Sequence, residues 1–121
     1  MNVWLWKEAT FDAAHQLPLH DGACKRLHGH TYKLQLGLYV PVDSTTGMGL
    51  DFKHLSRFIS EEVLYEYDHQ LLNDRLRGLQ PTAENIAGAI CRKAKTHFRC
   101  PVKVRIWETP TSWCEISDED A

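Results

Sequence analysis

The stretch from Tyr32 to Val40 constrains the fold more than any other, because large apolar side chains alternate there with residues of other kinds. The apolar positions are Tyr32, Leu34, Leu36, Leu38 and Val40. A period of two predicts a strand with one buried face, since successive side chains of a strand point to opposite faces. Such a strand requires a sheet around it and a second layer over its apolar face.

Two histidines, His28 and His30, directly precede this strand and are separated by Gly29. Extending the alternation backward places both imidazoles on one side of the backbone. Imidazoles placed in this way are ligands for a borderline-soft cation such as zinc, and a catalytic zinc site uses a third protein ligand. His15 is the candidate for that ligand. His-x-His pairs also occur without a metal, so the residues alone leave both interpretations open.

Four strands and two helices are predicted along the chain. The strands cover residues 3–15, 30–41, 102–106 and 113–116. Antiparallel pairing of the first two strands would bring His15 close to His28 and His30. Because both helices lie between the second and third strands, the order is ββααββ. This order favours an α+β fold, a four-stranded antiparallel sheet with two helices on one face.

Both predicted helices begin at a residue that favours the N-cap position. Asp51 precedes the first helix, whose apolar positions are Phe52, Leu55, Phe58, Ile59 and Val63. Thr82 precedes the second helix, whose apolar positions are Ile86, Ala87, Ile90, Ala94 and Phe98. The acidic end of the chain, from Asp118 onward, is expected to be frayed.

Length and composition restrict the domain organisation and the partners. A chain of 121 residues predicts one domain, spanning 1–121. A net charge of −2 without a dense run of lysine and arginine argues against a nucleic-acid partner. Short apolar runs and the lack of a secretory signal argue against a membrane partner and favour a cytoplasmic location. Four cysteines without a CxxC pair favour free thiols.

A sheet with helices on one face leaves its other face and both edges uncovered. Trp4, Trp6 and Trp107 are predicted for these surfaces, where exposed aromatic side chains indicate a subunit interface. We therefore expect a homo-oligomer. The alternative is a monomer with scattered exposed aromatic residues.

Six motifs follow one another along nearly the whole chain. They are Phe11-Asp-Ala-Ala-His15, Cys24-Lys-Arg-Leu-His28-Gly-His30, Asp51-Phe52, the stretch from Leu64 through Asp68-His69 to Leu72-Asn73, Pro81-Thr82-Ala-Glu84-Asn85, and Glu108-Thr-Pro-Thr-Ser. Together they resemble the 6-pyruvoyl-tetrahydropterin synthase / 6-carboxytetrahydropterin synthase family. The resemblance implies the tunnelling fold and a hexamer of two trimers. The three-residue gap between Cys24 and His28 resembles the bacterial 6-carboxytetrahydropterin branch.

The resemblance also implies a metal and a small-molecule substrate. Family members bind Zn²⁺ through three histidines, which correspond to His15, His28 and His30. The family substrate is a pterin, 7,8-dihydroneopterin triphosphate, whose side-chain hydroxyl groups would approach the open zinc position.

Four further residues correspond to family site residues. Cys24 matches the catalytic thiol, Asp68 and His69 match an acid/base pair, and Glu108 matches the glutamate that holds the pterin. Taken singly, each has an ordinary interpretation: an inert loop cysteine, loop polarity, and a surface acid at the end of a strand.

Three functions remain open at this point. The first is a zinc-dependent lyase that makes 6-carboxy-5,6,7,8-tetrahydropterin with release of acetaldehyde and triphosphate, in queuosine or related 7-deazapurine biosynthesis. The second is an enzyme of the same fold and metal that makes 6-pyruvoyl-tetrahydropterin or handles another dihydropterin, which the Cys24 to His28 spacing disfavours. The third is a non-catalytic protein that binds zinc or a pterin.

Overall fold

Five strands form a single sheet in the computed structural model, which describes residues 1–121. They are β1 (Asn2–His15), β2 (His28–Pro41), β3 (Gln70–Leu71), β4 (Val102–Thr109) and β5 (Ser112–Ser117). The order across the sheet is β3-β1-β2-β4-β5, and every neighbouring pair is antiparallel except β1 and β3. The predicted α+β class is confirmed. The predicted count of four strands is wrong, because β3 has only two residues and therefore shows no alternation in the sequence.

Four α-helices accompany the sheet, and the predicted count of two is wrong, because two of the four have only three and four residues and show no helical period in the sequence. They are α1 (Phe52–Phe58), α2 (Tyr65–Tyr67), α3 (Leu72–Arg75) and α4 (Ala83–Phe98), with a π-helical segment (Ile59–Leu64) joining α1 to α2. Both predicted N-caps are confirmed. The Asp51 carboxylate accepts a hydrogen bond from the Lys53 N–H at 2.9 Å, and the Thr82 hydroxyl accepts one from the Asn85 N–H at 3.2 Å. No helix has the length and apolar character that crossing a membrane requires.

The core lies between one sheet face and the helices. All five apolar residues of the alternating run on β2 are buried, as are Phe11, Ala13 and His15 on β1. The buried residues of α4 include Ile86, Ala87, Ile90 and Ala94, as predicted. Phe52 is an exception: its side chain is 50% exposed, and it borders a shallow apolar groove with Met48 instead of entering the core.

The opposite face of the sheet carries half-buried tryptophans, whose rings are partly covered by lysine and arginine side chains of the same chain. The Lys103 ammonium lies 4.6 Å from the Trp4 ring centre, and the Arg105 guanidinium lies 4.2 Å from that of Trp6. These contacts are cation–π interactions. Part of the uncovered aromatic surface expected from the sequence is therefore covered within one chain.

The expected fraying at Asp118 is wrong. Its carboxylate accepts hydrogen bonds from the Val102 N–H at 2.8 Å and lies 3.0 Å from the Lys95 ammonium. The hydrogen bond from Val102 is the main cause of the lowered pKa of Asp118. The acidic composition suggested a solvated tail, whereas the chain returns along β5 to the start of β4 and brings this carboxylate to an otherwise free N–H group.

Candidate metal and active site

Strand register brings the three predicted histidines together. On the β1–β2 ladder, His15 lies opposite His28 and Ala13 lies opposite His30, so the expected antiparallel pairing is confirmed. The three imidazoles share one side of the sheet, and their ligand nitrogens all lie within 4.8 Å of one another. His15 is fully buried, while His28 and His30 are partly exposed.

Backbone carbonyl groups determine which ring nitrogens carry protons. The Nδ1 of His15 lies 2.7 Å from the Pro81 carbonyl oxygen, and the Nδ1 of His28 lies 2.7 Å from that of Arg26. Because a carbonyl oxygen can only accept, each Nδ1 carries the proton and donates it. The Nε2 of each neutral ring is left with an unshared electron pair.

These unshared electron pairs point at one another. The Nε2 atoms of His15 and His28 are 2.9 Å apart, and the buried Nε2 of His30 has no hydrogen-bond partner. Two unprotonated Nε2 atoms at that distance would repel each other, and a shared proton or metal cation removes the repulsion. Around a tetrahedral zinc the nitrogens would be about 3.4 Å apart, given Zn–N distances of about 2.1 Å. The donor set therefore fits a metal held by three imidazoles, with one open position.

Electrostatics keep His30 suited to binding a cation. Burial lowers the pKa of His30, and the neighbouring His15 and His28 rings act in the same direction, whereas Glu108 opposes them. The Glu108 Oε1 lies 3.3 Å from the His30 Nε2 without forming a hydrogen bond. Neutral imidazole is the form that coordinates a metal, so the lowered pKa favours binding.

Asp68 and His69 contact each other, which neighbours in sequence need not do. The Asp68 Oδ2 lies 3.1 Å from the His69 Nδ1, and His69 adopts a left-handed backbone with φ of 59°. Asp12 on β1 holds this dipeptide through its main chain. Its N–H donates to the Asp68 Oδ1 at 3.0 Å, and its carbonyl accepts from the His69 N–H at 2.6 Å. The hydrogen bond from Asp12 is also the main cause of the lowered pKa of Asp68.

Two open clefts flank the segment around His30. One, of about 590 Å³, is lined by His30 and His69 among others, and the second, of about 490 Å³, by His30 and Glu108. Cys24 lies in a short 3₁₀ turn (Ala23–Lys25) of the connection from β1 to β2 and is half-buried. It is not part of the three-histidine group.

The sequence did not predict that some residues of this candidate site contact the histidines. The Pro81 and Arg26 carbonyl groups orient two histidines, and the Tyr32 hydroxyl lies 3.3 Å from the His15 Nδ1. Main-chain carbonyls leave no signal in a sequence. Tyr32 is one of the alternating apolar residues of β2, and burial of its aromatic ring explained its presence there without a role for the hydroxyl. Asp12 lies in the Phe11–His15 motif, but its main-chain hydrogen bonds to Asp68 and His69 depend on the placement of β3.

Comparison with known proteins finds relatives of similar sequence and a solved structure of similar fold. Residues 4–119 match the sequence profile of the family described as 6-pyruvoyl tetrahydropterin synthase. The 6-carboxy-5,6,7,8-tetrahydropterin synthase of Haemophilus influenzae is 35% identical, with 93% of this chain and 96% of the relative covered. The Synechocystis protein of the same name is 43% identical over 75% of this chain and 74% of its own. The solved Caenorhabditis elegans 6-pyruvoyl tetrahydropterin synthase superposes with a TM-score of 0.84 at 30% identity, covering 96% and 95% of the two chains.

Proposed function

The chain belongs to the 6-pyruvoyl tetrahydropterin synthase family, and from this premise we propose that it is a zinc-dependent 6-carboxy-5,6,7,8-tetrahydropterin synthase. Its substrate would be 7,8-dihydroneopterin triphosphate, which with water yields 6-carboxytetrahydropterin, acetaldehyde and triphosphate. The observation that carries the proposal is the trio of converging imidazole Nε2 atoms, found in a chain whose relatives have this name. Supply of this product to 7-deazapurine biosynthesis stays a prediction.

The proposed metal site uses the geometry of the three histidines. His15, His28 and His30 would hold the ion through Nε2, and the Pro81 and Arg26 carbonyls would keep two of the rings in the required tautomer. When bound, zinc supplies Lewis-acid polarisation of the substrate's side-chain oxygens, which acidifies the neighbouring C–H bonds.

The other site residues would bind the pterin and move protons. The Glu108 carboxylate can accept two hydrogen bonds from the amino-pyrimidinone edge of a pterin. Asp68 orients the His69 imidazole, which can then exchange a proton with the substrate side chain. Cys24 is the proposed second proton-transfer group, acting as thiolate and thiol in turn.

Assembly is part of the proposal. Because β3 pairs only with Ala13 and Ala14, most of β1 has an unpaired edge, and β5 has another at the far side of the sheet. Pairing of these edges between copies would continue the sheet and close it, and the proposed assembly is a hexamer of two trimers.

Product analysis tests the reaction. Zinc-loaded protein is incubated with 7,8-dihydroneopterin triphosphate, and acetaldehyde and 6-carboxytetrahydropterin are quantified. Appearance of both in equal amounts supports the proposal. Triphosphate release with a pyruvoyl product and no acetaldehyde would instead identify a 6-pyruvoyl-tetrahydropterin synthase, the activity in the name of the Caenorhabditis elegans structure. Bound zinc without turnover would identify a binding protein.

A further inference from the structure

A side-chain amide continues the sheet beyond the end of β1. The Asn73 Oδ1 accepts a hydrogen bond from the Gln16 N–H at 2.9 Å, and the Asn73 Nδ2 donates one to the Gln16 carbonyl at 2.8 Å. Asn73 lies in α3, directly after β3, which pairs with β1. The amide therefore satisfies both main-chain groups of Gln16, as the backbone of a neighbouring strand would.

This clasp holds one end of the connection that carries Cys24. Gln16 follows the last residue of β1, and the next residue, Leu17, donates its N–H to the Cys24 carbonyl at 3.0 Å. Two consecutive residues thus join the Asn73 side chain to the main chain of Cys24. The Asn73 amide is hydrogen-bonded to Gln16, one peptide unit links Gln16 to Leu17, and Leu17 is hydrogen-bonded to Cys24.

No other long-range hydrogen bond holds the connection. Apart from the clasp, the hydrogen bonds of residues 16–27 lie within the connection, except the one that the His28 Nδ1 on β2 donates to the Arg26 carbonyl. Apolar packing of the connection is limited to its base, because Leu19 and Leu27 are 81% and 64% exposed while Leu17 is half-buried. Asn73 is therefore the one residue outside β1 and β2 that is hydrogen-bonded to this connection.

We propose that Asn73 is a positioning residue for Cys24, acting through Gln16 and Leu17. The inference rests on the proposed function only in assigning chemistry to the Cys24 thiol. The placement of that thiol can be measured without turnover. Misplacement of a reacting group by about 1 Å costs up to about 100-fold in rate, so loss of the clasp would reduce kcat.

Amide hydrogen exchange and thiol alkylation of the full chain test the clasp. In Asn73→Ala, loss of one hydrogen bond is expected to speed exchange of the Gln16 N–H about fivefold. The rate at which iodoacetamide alkylates Cys24 should change at least about threefold, because the connection that carries the thiol loses the hydrogen bonds of the clasp. Cys91 is buried, and burial raises its pKa to about 11, so its alkylation rate reports opening of the whole fold. This rate should stay the same. In a zinc-loaded active enzyme, kcat should fall about tenfold or more at unchanged zinc content.

Gln35→Ala is the matched control, since it removes an amide bonded to Glu8 on the far face of the sheet. It should leave the Gln16 exchange and Cys24 alkylation unchanged. The proposal is wrong if, in Asn73→Ala, either the Gln16 N–H exchange rate or the Cys24 alkylation rate equals that of the parent protein. Changed alkylation of both Cys24 and Cys91 would also overturn it, by revealing global destabilisation. If the parent protein lacks activity, the proposed function fails while these two rates still decide the role of Asn73.

Discussion

At the scale of single residues, two main-chain carbonyl groups determine what the histidine trio can do. With Nδ1 of His15 and His28 donating to Pro81 and Arg26, both Nε2 atoms are free to bind an ion. A metal site made in this way depends on ring orientation as much as on the number of histidines.

Substitution should separate metal binding from proton transfer. We expect His28→Ala to lose bound zinc, because two imidazoles leave an incomplete site. Cys24→Ala should keep the zinc of the parent and lose about 100-fold or more in kcat, the usual size of a proton-transfer contribution. Metal analysis by mass spectrometry and initial rates check both variants. Unchanged activity in Cys24→Ala would contradict the role assigned to the thiol.

Two glycines should respond oppositely to replacement by alanine. A Cβ on Gly37 would lie 2.7 Å from the Trp6 ring, which is held by Arg105, so Gly37→Ala should destabilise the fold by about 1–3 kcal/mol. Gly88 lies inside α4, and its Cβ would meet only the movable tip of Arg92 at 3.2 Å and Ile116 at 3.9 Å. Gly88→Ala should therefore stabilise by about 0.5–1 kcal/mol.

Urea unfolding measures the free energy of unfolding of both glycine variants under the same conditions. Each variant is the other's control, because both add one methyl group to a buried glycine. A Gly37→Ala protein as stable as the parent would show that the Trp6 ring can move aside without cost.

At the scale of elements, the two-residue strand β3 helps to assemble the candidate site. It places Asp68 and His69 beside Asp12, whose main chain bonds to both residues. It also brings α3, and with it Asn73, to the end of β1. An element of only two residues thus holds the Asp68-His69 pair and Asn73 close to β1.

The contact between the end of β5 and the start of β4 should make stability depend on pH. The lowered pKa of Asp118 means that its ionised form stabilises the fold above the unfolded pKa of about 3.9. This stabilisation is lost as the pH falls from there through the folded pKa. Asp118→Asn should cost about 1–2 kcal/mol at pH 7, with the difference from the parent shrinking below pH about 4.

Thermal or urea unfolding between pH 2.5 and 7 measures this difference. Asp120→Asn is the matched control, because the exposed Asp120 carboxylate has one hydrogen bond, which it accepts from the Ser117 hydroxyl at 3.4 Å. A destabilisation of Asp118→Asn that is the same at all pH values would mean that charge plays no part in the contact.

At the scale of the whole molecule, the sheet has two unpaired edges with exposed aromatic surface near one of them. Trp113 on edge strand β5 is 58% exposed and stacks on Trp107, with ring centres 5.6 Å apart. Protection of such an edge by pairing with another chain is common in β-proteins.

Sedimentation tests the proposed assembly. At micromolar concentration we expect species several times heavier than the 14.0 kDa chain, with a mass close to six chains for the proposed hexamer. A single species of one-chain mass over the whole concentration range would refute assembly. Activity of such a species would show that one chain contains the complete site.

The sequence by itself determined the elements whose signal is local. The alternation on β2 and the caps at Asp51 and Thr82 predicted strand, helix starts and fold class, because side-chain periodicity and capping depend on near neighbours in the chain. Parity alone also placed His28 and His30 on the same side of a strand.

Only the tertiary structure decided what depends on contacts between distant segments. The short strand β3, the Asp118 contact with Val102, and the bonding of Asn73 to Gln16 each join groups separated by 16 or more residues. The orientation of His15 by a Pro81 carbonyl is of the same kind. Main-chain groups are the same at every residue, so a sequence does not reveal which of them will receive a partner.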